Sequence, residues 1–349
     1  HKLYGVQFHP EVTHTPNGGK LLANFVFNIC GARKEWSTAN IIETIQNEIR
    51  DKLTNKRAII GLSGGVDSST AAVLVHNVIG RNLIAVYVDT GLMRYKETEF
   101  IQRTFAKFDL NLHIIDAKDR FFDALKGVTD PEAKRQIIGK LFIDIFEEVA
   151  TKEGATVLVQ GTIYSDRIES GITRYSARIK SHHNVGGLPP TMKLEVYEPL
   201  RDLYKDEVRR IAKEIGLPDS IVHRHVFPGP GLAVRIVGEV TPEKVEIVRK
   251  ASYIIEQELK AAHLYDKVWM AFAVLLPIKT VGIQGDARTY KYPIVVRIVE
   301  SQDAMTANFA KLPYEVLERI STRITNEIDE VNRVVYDISN KPPATMEWE

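Results

Sequence analysis

The stretch Ala58-Ile59-Ile60-Gly61-Leu62-Ser63-Gly64-Gly65-Val66-Asp67-Ser68-Ser69 reads as a buried strand that runs into a loop of small residues and opens a helix from about Ser69 to Ile79. Two glycines let the backbone fold tightly and turn N–H groups toward an anion. Three serines add hydroxyl donors, and the positive end of the helix dipole points at the same spot. The design binds phosphate. No Gly-Lys-Ser or Gly-Lys-Thr follows, so it is not a Walker loop. Asp67 inside the loop repels a bare phosphate, and it makes sense mainly as a ligand for Mg²⁺ held between protein and phosphate. An ordinary Gly-Gly connection with an Asp turn residue is the plain alternative.

Outward from this loop, apolar strands alternate with helices. Strands are expected at Leu83 to Val88, Leu112 to Ile115 and Thr156 to Gln160, with helices near Lys96 to Phe108 and on to about Glu153. A helix capped by Ser37 or Thr38, with Ile41, Ile42, Ile45 and Ile49 on one face, leads in. This is an α/β pattern: a doubly wound, mostly parallel sheet with its ligand site at the carboxyl ends of the strands. Asp89 sits at such an end, either as a strand-terminating turn or where an adenosine lies against the backbone. The fourth strand delivers Asp166 and Glu169, two carboxylates that can face one way on a turn of helix and hold a second Mg²⁺ or receive a substrate hydroxyl or N–H; a solvated acidic face is the alternative. The segment Arg178 to Pro190 is rich in cations and flanked by glycines and prolines. It reads as a lid that brings Lys180, His182 and His183 over a polyphosphate. Adjacent histidines with no Cys partner argue against zinc.

The chain then changes character. A helix over Lys205 to Ile215 stops at Gly216-Leu217-Pro218, and Phe227-Pro228-Gly229-Pro230-Gly231 forms a rigid linker that delivers Arg235, whose guanidinium can fork onto a phosphate or a purine carbonyl. Thr241 and Pro242 start a helix, strands are expected near Ala271 to Leu276, Thr280 to Gln284 and Ile294 to Ile298, and an amphipathic helix over Tyr314 to Asn326. This is a smaller α+β domain, in which the apolar run Ala271 to Pro277 is expected to lie under a partner subunit. The last residues, Ser339 to Glu349, hold two prolines, Met, Trp and paired Glu, and do not read as a frayed tail. At the other end, a strand over Leu3 to Phe8 and a helix over Gly18 to Ile29 bracket His9 and Glu11, an acid and an imidazole set around Pro10.

Composition bounds the rest. Of 349 residues, 44% are hydrophobic and 26% charged, ordinary globular values for two or three domains. Lys and Arg number 46 against 45 Asp and Glu, a net charge of +1, which argues against nucleic acid or a membrane surface as partner. The single cysteine, Cys30, excludes an intrachain disulfide and fits a reducing compartment, so a cytoplasmic location is expected. The start at His1 suggests a chain that begins inside a longer protein.

Six strings carry a resemblance to known families. SGGVDSS resembles the signature of the N-type ATP pyrophosphatases, which break ATP between its α and β phosphates. GVQFHPEV is similar to the end of a class I glutamine amidotransferase domain, whose Cys-His-Glu triad His9 and Glu11 would complete; Cys30 follows the His and does not fit the nucleophile, so these residues alone are not expected to hydrolyse glutamine. With VDTGLMR, GTIYSDRIES, IKSHHNVGGLP and EPLRDLYKDEV, nearly the whole chain resembles the GMP synthetase family. It departs from that family at Val226, where HPFPGPG has Pro, and most over residues 171–178.

The resemblance implies an adenine nucleotide hydrolase-like fold, with residues 1–33 an amidotransferase remnant, 34–226 the ATP pyrophosphatase domain and 227–349 a domain for dimerisation and xanthosine monophosphate binding. It implies ATP, Mg²⁺, xanthosine monophosphate and ammonia drawn from glutamine, and a homodimer through the C-terminal domain. ATP would lie on Ser63, Gly64, Gly65, Val66, Asp67, Ser68, Ser69 and Val88, with Asp67, Asp166, Glu169, Lys180 and His183 around the reacting bond. The nucleotide acceptor would meet Arg235, Gln284, Lys341, Met346 and Glu347, and Arg288 is a candidate for nucleotide or dimer contact. A sister ligase such as NAD synthetase, or a binder of adenine nucleotides without catalysis, shares the loop but has little use for the tail or the lid.

Overall fold

The computed structural model describes residues 3–12, 15–166, 194–301 and 305–349. Five parallel strands make the first sheet: β1 (Ala58–Gly61), β2 (Leu83–Asp89), β3 (Asn111–Asp116), β4 (Val157–Val159) and β5 (Glu195–Tyr197), in the order β3-β2-β1-β4-β5. All seven residues of β2 are buried, as a strand covered on both faces requires. Alternate side chains serve opposite layers. Ala58, Ile60, Ala85, Tyr87, Val157 and Val159 meet the helices Thr38–Leu53, Val66–Ile79 and Lys205–Glu214. Ile59, Ile84, Val86, Val88 and Leu158 face the opposite layer, with the helices Lys118–Leu125 and Pro131–Glu153. The crossovers from β1 run one way to β2 and β3, and the later strands β4 and β5 lie on its other side. The loop after β1 therefore sits where the winding reverses, the usual ligand crevice of such sheets.

The second sheet is organised on one long strand. β6 (Met270–Leu275), β7 (Thr280–Gln284), β8 (Ala287–Glu300), β9 (Asn308–Phe309) and β10 (Val331–Tyr336) all pair around β8, with β10 parallel to it and the others antiparallel. The helix Pro242–Ala261, opened by Thr241 accepting the Lys244 N–H at 3.3 Å, packs on β6, and Tyr314–Glu327 packs on that helix and on β10. The apolar cluster on the Val86 face of the first sheet continues without a break into Ala233, Val248, Ile294 and Val331.

Four expectations need correction. No strand forms over Leu3 to Phe8; these residues are exposed, and among the described residues no strand lies beside them to pair the backbone. The loop helix begins at Val66, not Ser69, which places Asp67 in its first turn. The run Ala271 to Pro277 is not a surface awaiting a partner: Phe272 to Leu275 are buried by β8 and the helix Pro242–Ala261. The strand expected at Ile294 to Ile298 extends over Ala287–Glu300, and β5 and β10 were not expected.

Candidate active site

Gly64 takes φ +74°, a backbone conformation closed to most L-residues, and the turn lets the chain drop from β1 into the helix at Val66. Ser63 Oγ lies 3.0 Å from Ser68 Oγ and accepts the Gly65 N–H at 3.3 Å, so the hydroxyls cross-brace the loop they line. Ser69 is fully buried, and its Oγ has no hydrogen-bond partner among the described residues. Asp67 Oδ2 accepts a hydrogen bond from Lys205 Nζ at 2.5 Å. Its Oδ1 is buried with no partner among the described residues. A buried lone carboxylate oxygen costs free energy unless something occupies its lone pairs. From the other side the segment after β4 presses in: a Cβ on Gly161 would stand 3.0 Å from the Asp67 carbonyl carbon and from the Ser68 nitrogen.

Behind the loop, Glu97 is buried (2% exposed) and receives Arg224 through two bonds of 2.7 and 2.5 Å, while the same guanidinium reaches the Gly64 carbonyl at 3.4 Å. A Cβ on Gly64 would fall 2.7 Å from Ile101 Cδ1 and 2.9 Å from Glu97 Oε1. Gly64→Ala combines that overlap with a disallowed φ. It is expected to cost about 1–3 kcal/mol in chemical denaturation and to raise the KM for ATP more than that for any second substrate. An unaltered ATP requirement would separate the loop from ATP binding.

Asp89, at the end of β2, is turned inward. Its Oδ1 accepts the Gly91 N–H at 3.0 Å, its Oδ2 accepts from Thr98 Oγ1 at 2.7 Å, and Lys118 Nζ stands 3.2 Å away, so it closes its own turn. Val88 beside it is 4% exposed. Asp166 Oδ2 accepts the Ile163 N–H at 3.1 Å. Glu169, Lys180, His183 and the lid segment from Arg178 to Pro190 lie outside the described residues.

A second cluster of the expected residues is assembled from the tail. Arg235 is buried (4% exposed) and forks onto Glu347 at 3.0 and 2.8 Å, with the Phe272 ring 4.0 Å from its guanidinium carbon. These two residues, each expected at a nucleotide acceptor, thus hold one another. Met346 packs against the apolar cluster that contains Phe272 and Val274. Lys341 pairs its backbone with Ala307 in both directions, at 2.8 and 3.0 Å, and Gln284 ends β7 opposite Ala287. Arg288 stands opposite Ile283 in the same β7–β8 hairpin. Arg297, on β8 and fully buried, threads the tail together: it reaches Asp337 at 2.7 Å and the carbonyls of Ser339, Thr345 and Met346 at 3.1, 2.7 and 2.9 Å.

The two halves meet at the end of β2. The Leu232 N–H donates to the Leu92 carbonyl at 2.8 Å, and Arg249 donates to the carbonyls of Gly91 and Met93. The turn Gly231–Arg235 is thereby laced to the loop that follows β2, the strand next to β1, so the tail lies on the carboxyl side of the first sheet, as the glycine loop does.

His9 and Glu11 stand apart from all this. Their side chains meet at 2.8 Å while remaining 81% and 60% exposed. The Glu11 carboxyl is held below its ordinary value by its own backbone N–H and by His9. Cys30 is exposed.

Sequence reasoning did not single out Lys205, Glu97, Arg224 or Arg249, and it left the role of Arg297 open. Lys205 left a trace: it is the first residue of its helix, where a cation opposes the dipole. Glu97, Arg224 and Arg297 pair across 40 to 127 positions, and Arg249, besides its near neighbour Glu246, reaches the Gly91 carbonyl 158 positions away, so no local pattern marks these contacts.

A parallel sheet whose central strand opens through a glycine turn at the winding reversal, with an acid in the first turn of the next helix, defines an α/β nucleotide-binding domain, here fused to a mixed-sheet domain. Three family models match: glutamine amidotransferase class-I over residues 1–29, NAD synthase over 37–139 and the GMP synthase C-terminal domain over 257–348. Glutamine-hydrolysing GMP synthase of Thermotoga petrophila is 56% identical over 350 residues, spanning 100% of this chain and 70% of that protein. That of Aquifex aeolicus is 54% identical, spanning 100% and 68%. A solved NH3-dependent NAD synthetase from Campylobacter jejuni is a fainter likeness, 18% identical over 66% of this chain and 86% of that one, with a TM-score of 0.43. The chain belongs to the family of glutamine-hydrolysing GMP synthases.

Proposed function

We propose that this chain carries the ATP-dependent half of GMP synthesis. The C2 carbonyl of xanthosine monophosphate has no leaving group of its own. Its oxygen attacks the α phosphorus of ATP, the bond between the α and β phosphates breaks, and pyrophosphate leaves onto the loop Ser63 to Ser69. Ammonia then adds at C2, a proton is lost, and AMP departs with the oxygen. The chain supplies positioning and charge stabilisation rather than a covalent nucleophile. The observation that carries this reading is the lacing of the Arg235 turn to the loop after β2, which supports an acceptor held by the tail beside ATP held by the glycine loop.

The donor set suits Mg²⁺. Asp67 Oδ1 is a hard oxygen, buried and without a partner among the described residues, and no cluster of three or more His, Cys, Asp or Glu gathers elsewhere among them. Such an ion takes one or two carboxylates and completes its shell with phosphate and water. When bound it neutralises phosphate charge; Lys205 holds the Asp67 carboxylate in place for it.

We further infer the division into residues 1–33, 34–226 and 227–349, with His9 and Glu11 serving glutamine hydrolysis. A homodimer through the C-terminal half is supported by the exposed Val281, Ile283 and Tyr290 of the β7–β8 hairpin (56%, 76% and 65%). No helix of the described residues is long and apolar enough to cross a membrane, and we place the enzyme in the cytoplasm.

Purified protein given ATP, Mg²⁺, xanthosine monophosphate and ammonium is expected to release AMP, pyrophosphate and GMP in equal amounts. Turnover of deamido-NAD instead would assign the sister ligase activity, and ATP binding without AMP release would leave only a binding module.

A further inference from the structure

Lys134 lies in the first turn of the helix Pro131–Glu153, and its side chain is completely buried. It shares a face with Ile138, Ile145 and Val149, where the helix packs on the first sheet. A lysine is almost never fully buried unless paired. All three partners of this one come from the far half of the chain: the carbonyl oxygens of Ile236 at 2.8 Å and Ala233 at 3.4 Å, and Glu349 Oε2. Glu349 is gripped on its other side as well. Its Oε1 accepts the Gly238 N–H at 3.1 Å, and its backbone N–H donates to the Val234 carbonyl at 3.2 Å.

Consider what lies between these contacts. Ala233 and Ile236 flank Arg235, and Glu349 follows Glu347 by two residues. One ammonium therefore fixes both the turn that carries Arg235 and the tail that carries Glu347, the two partners of the buried fork. Burial pushes Lys134 below the ordinary lysine range, and the Glu349 carboxylate opposes that push. The pair is held by packing from both halves, so movement of either half displaces it.

We propose that Lys134 is a positioning residue, which ties the turn of Arg235 and the tail of Glu347 to the ATP-binding half of the chain and sets the xanthosine monophosphate site against the nucleotide loop. This rests on the reading of the tail as the acceptor site.

Four variants of the full chain, assayed with saturating ammonium, test it. Lys134→Met keeps the side-chain length and removes the charge. It is expected to raise the KM for xanthosine monophosphate about tenfold and to change that for ATP less than about twofold. Glu349→Gln, which leaves the ammonium its two carbonyls, is expected to move the same constant in the same direction by less. The double variant Lys134→Met with Glu349→Gln is expected to recover part of the Lys134→Met loss, because no lone buried carboxylate remains. If Lys134→Met does not fold, Glu349→Gln decides alone. Glu347→Gln reports on the tail itself. A raised acceptor KM in Glu347→Gln but not in the Lys134 and Glu349 variants overturns the proposal, as does a parallel rise in both KM values or a double variant with no recovery. No effect in Glu347→Gln would sink the tail reading, and the proposal with it.

Discussion

Asp67→Ala is expected to lower pyrophosphate release by at least about a hundredfold while leaving the fold intact. The loss of rate follows from where the side chain is. Asp67 occupies the first turn of the loop helix, with one oxygen on Lys205 and the other buried and unpartnered among the described residues. That second oxygen does nothing for the resting fold and has only a ligand to serve. The ion pair with Lys205 is 28% and 35% exposed at its two side chains, and such a pair is worth no more than about 1 kcal/mol. Removing the lone buried oxygen offsets part of that loss. Pyrophosphate release and the midpoint of thermal unfolding, measured on the same preparation, separate the two effects. A variant that keeps its turnover takes Asp67 out of the chemistry; one that melts far below the parent takes it out of function and into structure.

Arg297→Met has the opposite signature. The guanidinium is fully buried and satisfies Asp337 and three tail carbonyls at once. Its removal strands a buried acid and leaves three tail carbonyls without their donor, and breaking a buried pair from one side costs about 3–5 kcal/mol. Asp337 sits below the ordinary aspartate range even though burial pushes it up, because the Ser339 N–H and hydroxyl, Arg297 and Trp348 outweigh that push. A carboxyl depressed in the folded state contributes stability above its unfolded value, and this is lost as pH falls through the folded one. In the variant that depression shrinks, so Asp337 contributes less stability at neutral pH and the acid limb of the stability curve is expected to become shallower. Hydrogen exchange over residues 337–348 is expected to rise toward that of an open segment. Arg297→Lys, with a point charge in place of the planar fork, is expected to recover only part of the loss. Protection unchanged in Arg297→Met would show that the tail is held by packing alone.

The first sheet was legible because its physics is local. Ala58 to Gly61 and Leu83 to Asp89 are buried on both faces and therefore written as unbroken apolar runs, and the glycines, serines and Asp67 mark the turn between strand and helix. Strands too short or too mixed to show a period escaped: β5 is three residues, two of them exposed, and β10 sets Asn332 and Arg333 between Val331 and Val334 so that neither face reads as apolar. The expected strand at Leu3 to Phe8 erred the other way, since alternation marks a strand only where a neighbour completes its hydrogen bonds. In the site, the loop was visible and its supports were not. Glu97, Arg224 and Arg297 look like surface charges in one dimension, and folding buries them. Lys134 is instructive, for it falls on the apolar stripe of its helix and could have been noticed as a cation among isoleucines.

The apolar cluster that runs from Val86 and Phe121 through Val248 to Ile294 and Val331 is shared between the two halves of the chain, while the layer around Ile60 and Ala71 lies wholly within the first. A break at the Phe227 to Gly231 linker would lay bare two greasy faces shaped for each other. The two sheets are therefore expected to unfold together, and a chimera that swaps either sheet alone inherits a mismatched seam.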